Sequence, residues 1–153
     1  MLQLASDSQS FATGCSRYQF DPLPGSDTSA RIMLEVRICG CAVEAVLDTG
    51  TAYLICSPDL AELLALDAST ALDSHTHLIR GTKVKGQLHR IELALLATEG
   101  NSLTIEVTAF IPDRSQSDLG VRFPSFLGFA YCLEWTRFAV DPATQTFYFG
   151  AHP

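Results

Sequence analysis

Three consecutive residues, Asp48, Thr49 and Gly50, place an acid, a hydroxyl and a flexible turn residue between two apolar runs. The runs are residues 43–47 and residues 53–56. An aspartate at the end of an apolar strand is expected to be partly desolvated, which disfavours its charged form and suits proton transfer. Gly50 lets the chain turn where a Cβ atom would clash. The pattern predicts an acid-base centre held at a strand end.

The same tripeptide could instead be an ordinary hairpin turn, in which aspartate is a common turn residue. Such a turn is normally solvated, and polar residues flank it. Here Leu47 stands directly before the acid, and Ala52 and Tyr53 follow after a single threonine. The apolar flanks therefore favour the acid-base interpretation over the simple turn.

A second motif lies far downstream, where Phe126, Leu127 and Gly128 precede another apolar stretch. Taken alone, it predicts a core strand that leads into a short helix. Taken with the first motif, it resembles the retropepsin-like aspartic proteases, in which two bulky apolar residues and a glycine approach the active-site loop from below. The resemblance covers about residues 31–150 and implies that the two apolar side chains keep water off the acid, while the glycine permits close backbone approach.

On this resemblance the chain is an aspartic endopeptidase, with Asp48 as the catalytic acid and Thr49, Gly50, Thr51 and Ala52 completing its loop. Such chemistry needs two carboxylates that share one proton, one to deprotonate the attacking water and one to protonate the carbonyl oxygen. Thr49 would brace the loop, and Gly50 would present its carbonyl group to a peptide or protein substrate. No metal or other cofactor is implied.

The chain supplies one loop of this kind. Residues 73–74 begin with Asp-Ser but lack the glycine, and residues 27–29 lie in a polar segment. We therefore expect a symmetric homodimer in which two Asp48 carboxylates meet on the two-fold axis.

The resemblance also implies a flap, because in that family a hairpin at this place in the chain order closes over bound substrate. Its predicted tip is the polar, glycine-bearing segment 80–84, with Arg80, Gly81 and Thr82 at the turn. The tip is more basic than in many relatives, which are glycine-rich and neutral here, because it carries Arg80, Lys83 and Lys85.

Two positions depart from viral relatives. Those proteins commonly carry an acid four places after the catalytic aspartate and an arginine directly after the downstream glycine, and this pair braces the dimer. Ala52 and Phe129 occupy these positions here. An apolar contact is the expected replacement.

The surrounding pattern predicts an all-β fold, a retropepsin-like closed β-barrel or acid-protease half with two short helices. One helix is expected over residues 57–66, with Leu60, Leu63 and Leu64 on one face, and the other after Gly128. The aromatic last strand is a candidate dimer edge. Alternating or apolar runs predict strands at residues 31–38, 43–47, 72–79, 85–97, 103–111, 137–141 and 146–150.

Residues 1–29 are polar and rich in turn formers, so we expect an N-terminal arm followed by a protease domain at residues 30–153. Phe11, Tyr18 and Phe20 would anchor the arm to the domain. An alternative is a leader that occupies the cleft until it is removed.

His75 and His77 alternate and therefore point to the same side of one strand. Two such histidines could bind a metal and support metal-dependent hydrolysis, but no third ligand stands nearby in the sequence. We favour histidines on the surface or at the base of the flap.

Bulk composition excludes several classes of partner. Net charge is −7 with only 10 lysines and arginines among 153 residues, so nucleic acid is not an expected partner. No apolar run is long enough to span a bilayer and no leader opens the chain, so we expect no membrane association. Five cysteines, an odd number, indicate reduced thiols and a cytoplasmic location.

A second function is compatible with the same fold. The chain could be a catalytically weak retropepsin-like module for binding or dimerisation, in which the basic flap tip recognises an acidic protein partner. The intact Asp48, Thr49 and Gly50 favour the enzyme.

Overall fold

The computed structural model describes residues 11–23, 29–115 and 120–152, which form two β-sheets. The strands are β1 (Gly14–Arg17), β2 (Gln19–Pro22), β3 (Ala30–Ile38), β4 (Cys41–Leu47), β5 (Leu54–Ile55), β6 (Asp73–Ile79), β7 (Thr82–Leu95), β8 (Glu99–Gly100), β9 (Leu103–Pro112), β10 (Ser125–Leu127), β11 (Thr136–Asp141) and β12 (Thr146–Ala151). The smaller sheet has the order β11-β12-β1-β8, and the larger has the order β2-β3-β4-β10-β5-β9-β7-β6.

Strand β3 pairs with both β4 and β7, and this second pairing closes the larger sheet into a barrel. The strands around the barrel are β3, β4, β10, β5, β9 and β7, while β2 and β6 extend beyond it. The alternating side chains of these strands supply a buried apolar core that includes Leu34, Leu93 and Val107. The predicted all-β fold with a closed barrel is confirmed.

The hairpin of β3 and β4 leads to the acid, as the sequence predicts. Val36 and Ile38 are buried, and the intervening residues of β3 are exposed. Cys39 and Gly40 form the turn with φ values of 48° and 81°, the left-handed geometry that suits a two-residue hairpin loop. The short turn fixes the register of β4 against β3, and the register in turn fixes where the end of β4, and therefore Asp48, lies in the barrel.

Strand β10 lies between β4 and β5 and joins the chain before the acid to the chain after it. It runs parallel to β4, with Phe126 opposite Val46, and antiparallel to β5, with Phe126 opposite Ile55. Ser125, which is buried in β10, accepts a hydrogen bond at Oγ from the backbone N–H of Ser57 at 3.0 Å. The downstream motif is therefore part of the scaffold of the Asp48 turn.

The predicted helix after β5 is present but shorter, as α1 (Pro58–Leu64). Ser57 caps it by accepting from the N–H of Leu60 at 3.2 Å, and Ala65 ends it with a left-handed φ of 47°. The predicted apolar face is wrong at Leu63, which is 69% exposed, whereas Leu60 is buried and Leu64 packs against the core. The short helix expected after Gly128 is a 3-10 helix, Leu133–Trp135, and another 3-10 helix covers Ala68–Thr70.

The described part of the predicted arm contributes two strands. Strand β1 pairs with β12, and β2 pairs with β3. Of the expected anchors, Tyr18 is buried whereas Phe20 is 54% exposed. Residues 1–10 and 24–28, which the alternative of a removable leader also involves, lie outside the described residues, and the domain boundary at residue 30 stays a prediction.

The aromatic last strand is not a sheet edge in this chain. Strand β12 pairs with β11 on one side and β1 on the other, and its residues Phe147 and Phe149 are buried. The prediction that β12 is a candidate dimer edge is wrong, because β1 occupies the side that an incoming chain would need.

Candidate active site

Asp48 lies directly beyond the last residue of β4, and hydrogen bonds to its backbone fix its position. Its N–H donates to the carbonyl oxygen of Leu127 at 3.0 Å, and its own carbonyl oxygen accepts from the N–H of Thr51 at 3.2 Å. The N–H of Gly50 donates to Oδ1 of the Asp48 carboxylate at 3.1 Å. Residues 48–52, called the Asp48 loop below, therefore form a tight turn that orients the acid.

Gly128 brings the downstream motif into contact with the Asp48 loop. A Cβ atom at this position would lie 2.1 Å from the carbonyl oxygen of Tyr53 and 2.8 Å from that of Thr51. The next residue, Phe129, donates its N–H to the carbonyl oxygen of Thr51 at 2.8 Å. The close approach expected for this glycine is present, and a side chain would prevent it.

Of the two apolar residues of the downstream motif, Phe126 lines the same cleft as Asp48, whereas Leu127 belongs to the core of the barrel. Leu127 is fully buried and Phe126 is 9% exposed. Asp48, Thr49 and Gly50 are exposed in the single chain. The expected partial desolvation of Asp48 is therefore wrong for one chain, because the acid stands beyond the last paired residue of β4 and faces an open cleft.

The cleft at Asp48 has a volume of about 360 Å³. Its lining comes from the Asp48 loop, the predicted flap and the downstream motif, and also includes Leu23 of the arm and Arg31 of β3. The first three parts contribute Asp48, Gly50, Thr51, His77, Arg80 and Phe126, among others. Gly50 and Thr51 from the Asp48 loop and Phe126 from the downstream motif thus meet at one cavity. Arg80 reaches this cavity from the predicted flap; Gly81 follows it in the turn, and Thr82 is the first residue of β7.

The flap, defined here as residues 73–88, is the hairpin of β6 and the first part of β7. Arg80 and Gly81 form a two-residue turn with φ values of 50° and 80°, and Thr82 already pairs with Ile79. The predicted five-residue tip, 80–84, is therefore wrong in length, because Val84 is a fully buried strand residue.

Register separates the two faces of the flap. His77 is opposite Val84, and His75 is opposite Gly86, on the inner face. Lys83 and Lys85 alternate with these residues and are exposed on the outer face. The basic character expected for the tip thus extends along the outer face.

His75 and His77 lie on the inner face of the flap in a cluster of rings. Their ring centroids are 5.8 Å apart, and both pack on Tyr53, at 5.6 and 6.4 Å, and on Phe110, at 6.0 and 5.6 Å. Burial, and then the proximity of His75, lowers the pKa of His77 below its usual value. Both histidines belong to the flap, but they are half-buried on its inner face between the base and the turn, and not on the surface or at the base as predicted.

Sequence reasoning missed one contact of His77. Its Nε2 atom lies 3.3 Å from Oγ1 of Thr51 in the Asp48 loop. Alternation of the two histidines indicated their shared face, but no sequence signal connects residue 77 with residue 51. Within the described ranges, no three His, Cys, Asp or Glu side chains are grouped so that they could hold a metal ion.

The two positions that depart from viral relatives differ in surroundings. Ala52 is half-buried within the Asp48 loop. Phe129 is 44% exposed, and its ring meets Phe138 edge-on with a centroid separation of 6.4 Å. An apolar surface therefore lies directly beside the loop that carries the acid.

All five cysteines are unpaired. Cys15, Cys56 and Cys132 are buried, whereas Cys39 is exposed at the β3–β4 turn. Burial raises the pKa of Cys132 to about 12 and also raises the pKa of Cys56. These buried thiols are protonated at neutral pH and are unreactive as nucleophiles.

Comparison with solved structures identifies a similar fold. A retropepsin-like aspartic protease from Rickettsia conorii superposes with a TM-score of 0.51 and 15% sequence identity, covering 76% of this chain and 88% of that one. No model of a known protein family matches the chain, and no curated protein matches it. The architecture of the barrel is thus that of a retropepsin-like protein.

None of the helices in the described ranges is long and apolar enough to cross a membrane.

Proposed function

We propose that this protein is a retropepsin-like aspartic endopeptidase that hydrolyses peptide bonds as a homodimer. The observation that carries the proposal is the position of Asp48, at the end of β4 and facing a cleft to which the flap contributes Arg80 and His77. The similarity in fold to a retropepsin-like aspartic protease supports the same assignment.

The acid is held in a way that suits general acid-base catalysis. The bond from Gly50 N–H to Oδ1 fixes one carboxylate oxygen of Asp48, and the bond from Asp48 N–H to Leu127 fixes the backbone. A positioned carboxylate loses little orientational freedom when it reacts. Its exposed side is open for a second carboxylate, which this chemistry requires.

In the proposed dimer the second carboxylate is Asp48 of an identical chain. Two carboxylates that share one proton titrate as a coupled pair, so one can be ionised while the other is protonated. The ionised group accepts a proton from water as the water attacks the peptide carbonyl carbon, and the protonated group donates to the carbonyl oxygen. Thr49 braces the paired loops, and no cofactor takes part.

A peptide substrate would lie extended between the Asp48 loop and the flap. Gly50 offers its carbonyl group, and the flap offers strand backbone near its tip, so the substrate is recognised largely through main-chain hydrogen bonds. A flap of two strands with a two-residue turn can close over such a chain and exclude water from the reaction.

The decisive test is a peptide-cleavage assay from pH 4 to pH 8 with wild type and Asp48→Asn. The substitution keeps the side-chain volume but removes the charge, and we expect loss of cleavage with the dimer retained. Asp59→Asn is a matched control, because Asp59 is an exposed aspartate in α1 and does not line the cleft. Cleavage by Asp48→Asn at the wild-type rate would refute the proposal.

A second candidate is a binding module that cleaves little. The exposed Lys83 and Lys85 on the outer face of the flap favour it, because they would attract an acidic partner. On this alternative an acidic peptide binds wild type and Asp48→Asn equally and is cut by neither. Charge reversal at both lysines would then abolish binding.

The unpaired cysteines also support a proposed cytoplasmic location, since thiols persist in a reducing compartment. Labelling of thiols in fractionated cells tests it: recovery of the protein in a reduced form from the cytoplasmic fraction is expected.

A further inference from the structure

The contact between His77 and Thr51 joins the flap to the Asp48 loop. Nε2 of His77 lies 3.3 Å from Oγ1 of Thr51, within hydrogen-bonding distance, and the two residues are 26 positions apart in the chain. The imidazole can either accept from the hydroxyl or donate to it, according to which ring nitrogen carries the proton.

Thr51 is a firm attachment point because its backbone is bonded on both sides. Its N–H donates to the carbonyl oxygen of Asp48 at 3.2 Å, and its carbonyl oxygen accepts from the N–H of Phe129 at 2.8 Å. Any group bound to the hydroxyl of Thr51 is therefore placed in a fixed relation to the acid and to the downstream motif.

Packing holds His77 in the orientation that reaches Thr51. Its ring lies against Phe110 and Tyr53, with centroid separations of 5.6 and 6.4 Å. Gly86 makes this possible, since a Cβ atom there would lie 2.7 Å from the Phe110 ring. The ring of Phe110 can therefore lie under β6 and pack against the imidazole of His77.

The attachment point is close to the moving end of the flap. His77 precedes the Arg80–Gly81 turn by three residues, a strand length of roughly 10 Å. A bond at His77 thus leaves the turn free to move while it holds the hairpin over the cleft between its base and its turn.

We propose that His77 is a positioning residue that fastens the flap to the Asp48 loop through Thr51, so that the flap is arranged for substrate before substrate binds. The inference rests on the proposed function, because it assigns the contact a role in substrate binding. His77 does not take part in bond cleavage; it reduces the freedom that the flap loses when a peptide is bound.

Steady-state cleavage by the intact dimer separates this role from a purely structural one. His77→Phe keeps a ring on Phe110 but cannot form a hydrogen bond to Thr51. We expect KM to rise about two- to tenfold, which is the range for one lost hydrogen bond, while kcat stays nearly unchanged. His77→Gln places an amide near the Nε2 position and should restore KM. His75→Phe is the matched control, because that ring packs on the same two neighbours, and its KM should stay close to wild type.

A double-mutant cycle identifies the partner. Thr51→Val removes the hydroxyl at constant shape and should raise KM like His77→Phe, and the double variant should show no additional loss. Effects that multiply in the double variant would overturn the proposed link, as would an unchanged KM in both single variants.

Hydrogen exchange gives a readout that does not depend on catalysis. In an Asp48→Asn background, peptides covering residues 73–84 should exchange faster with His77→Phe and with Thr51→Val than with His77→Gln. Equal exchange in all three would overturn the inference. If the wild-type protein cleaves no peptide but His77→Phe and Thr51→Val still exchange faster, the link between His77 and Thr51 is retained and the proposed protease function is refuted.

Discussion

Asp48 and Leu127 are joined by a backbone hydrogen bond of 3.0 Å at the point where β4 and β10 end side by side. Leu127 is fully buried in the barrel core, so the acid is attached to one of the best-packed parts of the molecule. The position of the carboxylate thus depends on apolar packing behind it as well as on the turn that carries it.

Leu127→Ala should therefore lower both stability and activity. Truncation of a fully buried leucine removes apolar burial and leaves a cavity, at a cost of about 2–5 kcal/mol in the free energy of unfolding. Urea denaturation measures this loss. Leu72→Ala, at a leucine that is 58% exposed, is the control and should change the free energy of unfolding by less than about 1 kcal/mol. Equal losses in the two variants would contradict the assignment of Leu127 to the core.

Gly128→Ala should disrupt the Asp48 loop through steric conflict. The added methyl group would meet the carbonyl oxygen of Tyr53 at 2.1 Å, so the backbone would have to move. We expect cleavage to fall at least about tenfold, because small displacements of catalytic groups are costly. Gly40→Asn is the control: Gly40 has a φ of 81°, no atom of the described residues lies within 4 Å of where its Cβ would stand, and asparagine tolerates this conformation. Activity of Gly128→Ala equal to that of this control would contradict the prediction.

Acidification should weaken the fold below pH 6.5 through two histidines. Burial lowers the pKa of His77 and of His89 from the ordinary value of 6.5. Between that value and the lower folded pKa, the unfolded chain binds more protons, so the free energy of unfolding decreases as pH falls. Thermal unfolding at fixed protein concentration should show Tm decreasing from pH 7 to pH 5. The slope should be smaller in His77→Gln, and an unchanged slope would contradict the role given to His77.

Two carboxylates, Asp67 and Asp141, affect stability at a lower pH than the histidines do. Hydrogen bonds from Ser69 lower the pKa of Asp67, and hydrogen bonds from Thr144 and Ala143 lower that of Asp141, below the ordinary value of 3.8. Their contributions are present above that value and are lost only as pH falls through the lower folded values. Asp67 and Asp141 therefore do not account for a Tm decrease above pH 5.

The parts of the fold with strong local patterns were predictable from sequence. Alternation in residues 31–38 with Gly40 at the turn predicted the hairpin before Asp48, and the apolar pair Phe126-Leu127 predicted the buried strand beneath it. In β3, burial on one face leaves a period of two in the sequence, whereas β10 is buried on both faces and its signal is the consecutive apolar pair.

Other parts depend on contacts that leave no such pattern. Strand β1 is buried through small residues, Gly14, Cys15 and Ser16, and a Cβ atom at Gly14 would lie 2.8 Å from the ring of Phe149. Small side chains give no apolar alternation, so the sequence pattern assigns β1 to a polar arm and leaves β12 as a free edge. The contact of His77 with Thr51 is likewise a product of the closed barrel and not of local sequence.

The last prediction concerns the surface that the proposed dimer would use. Phe129 is 44% exposed, stands next to Gly128, and is bonded through its N–H to Thr51 of the Asp48 loop. If an apolar contact replaces the ion pair of viral relatives, Phe129→Ser should raise the dissociation constant of the dimer about tenfold or more, as expected for an aromatic residue at an interface centre.

Sedimentation at several protein concentrations measures this change. Leu63→Ser is the matched control, because Leu63 is 69% exposed on α1 and should not affect association. At concentrations where the chains are monomeric, unfolding of both variants should resemble wild type, since neither side chain is buried in the single chain. Activity of Phe129→Ser should recover as concentration increases, because the acid pair reforms whenever two chains associate. Loss of activity that does not recover with concentration would place Phe129 in the folding of the Asp48 loop instead of at the dimer interface.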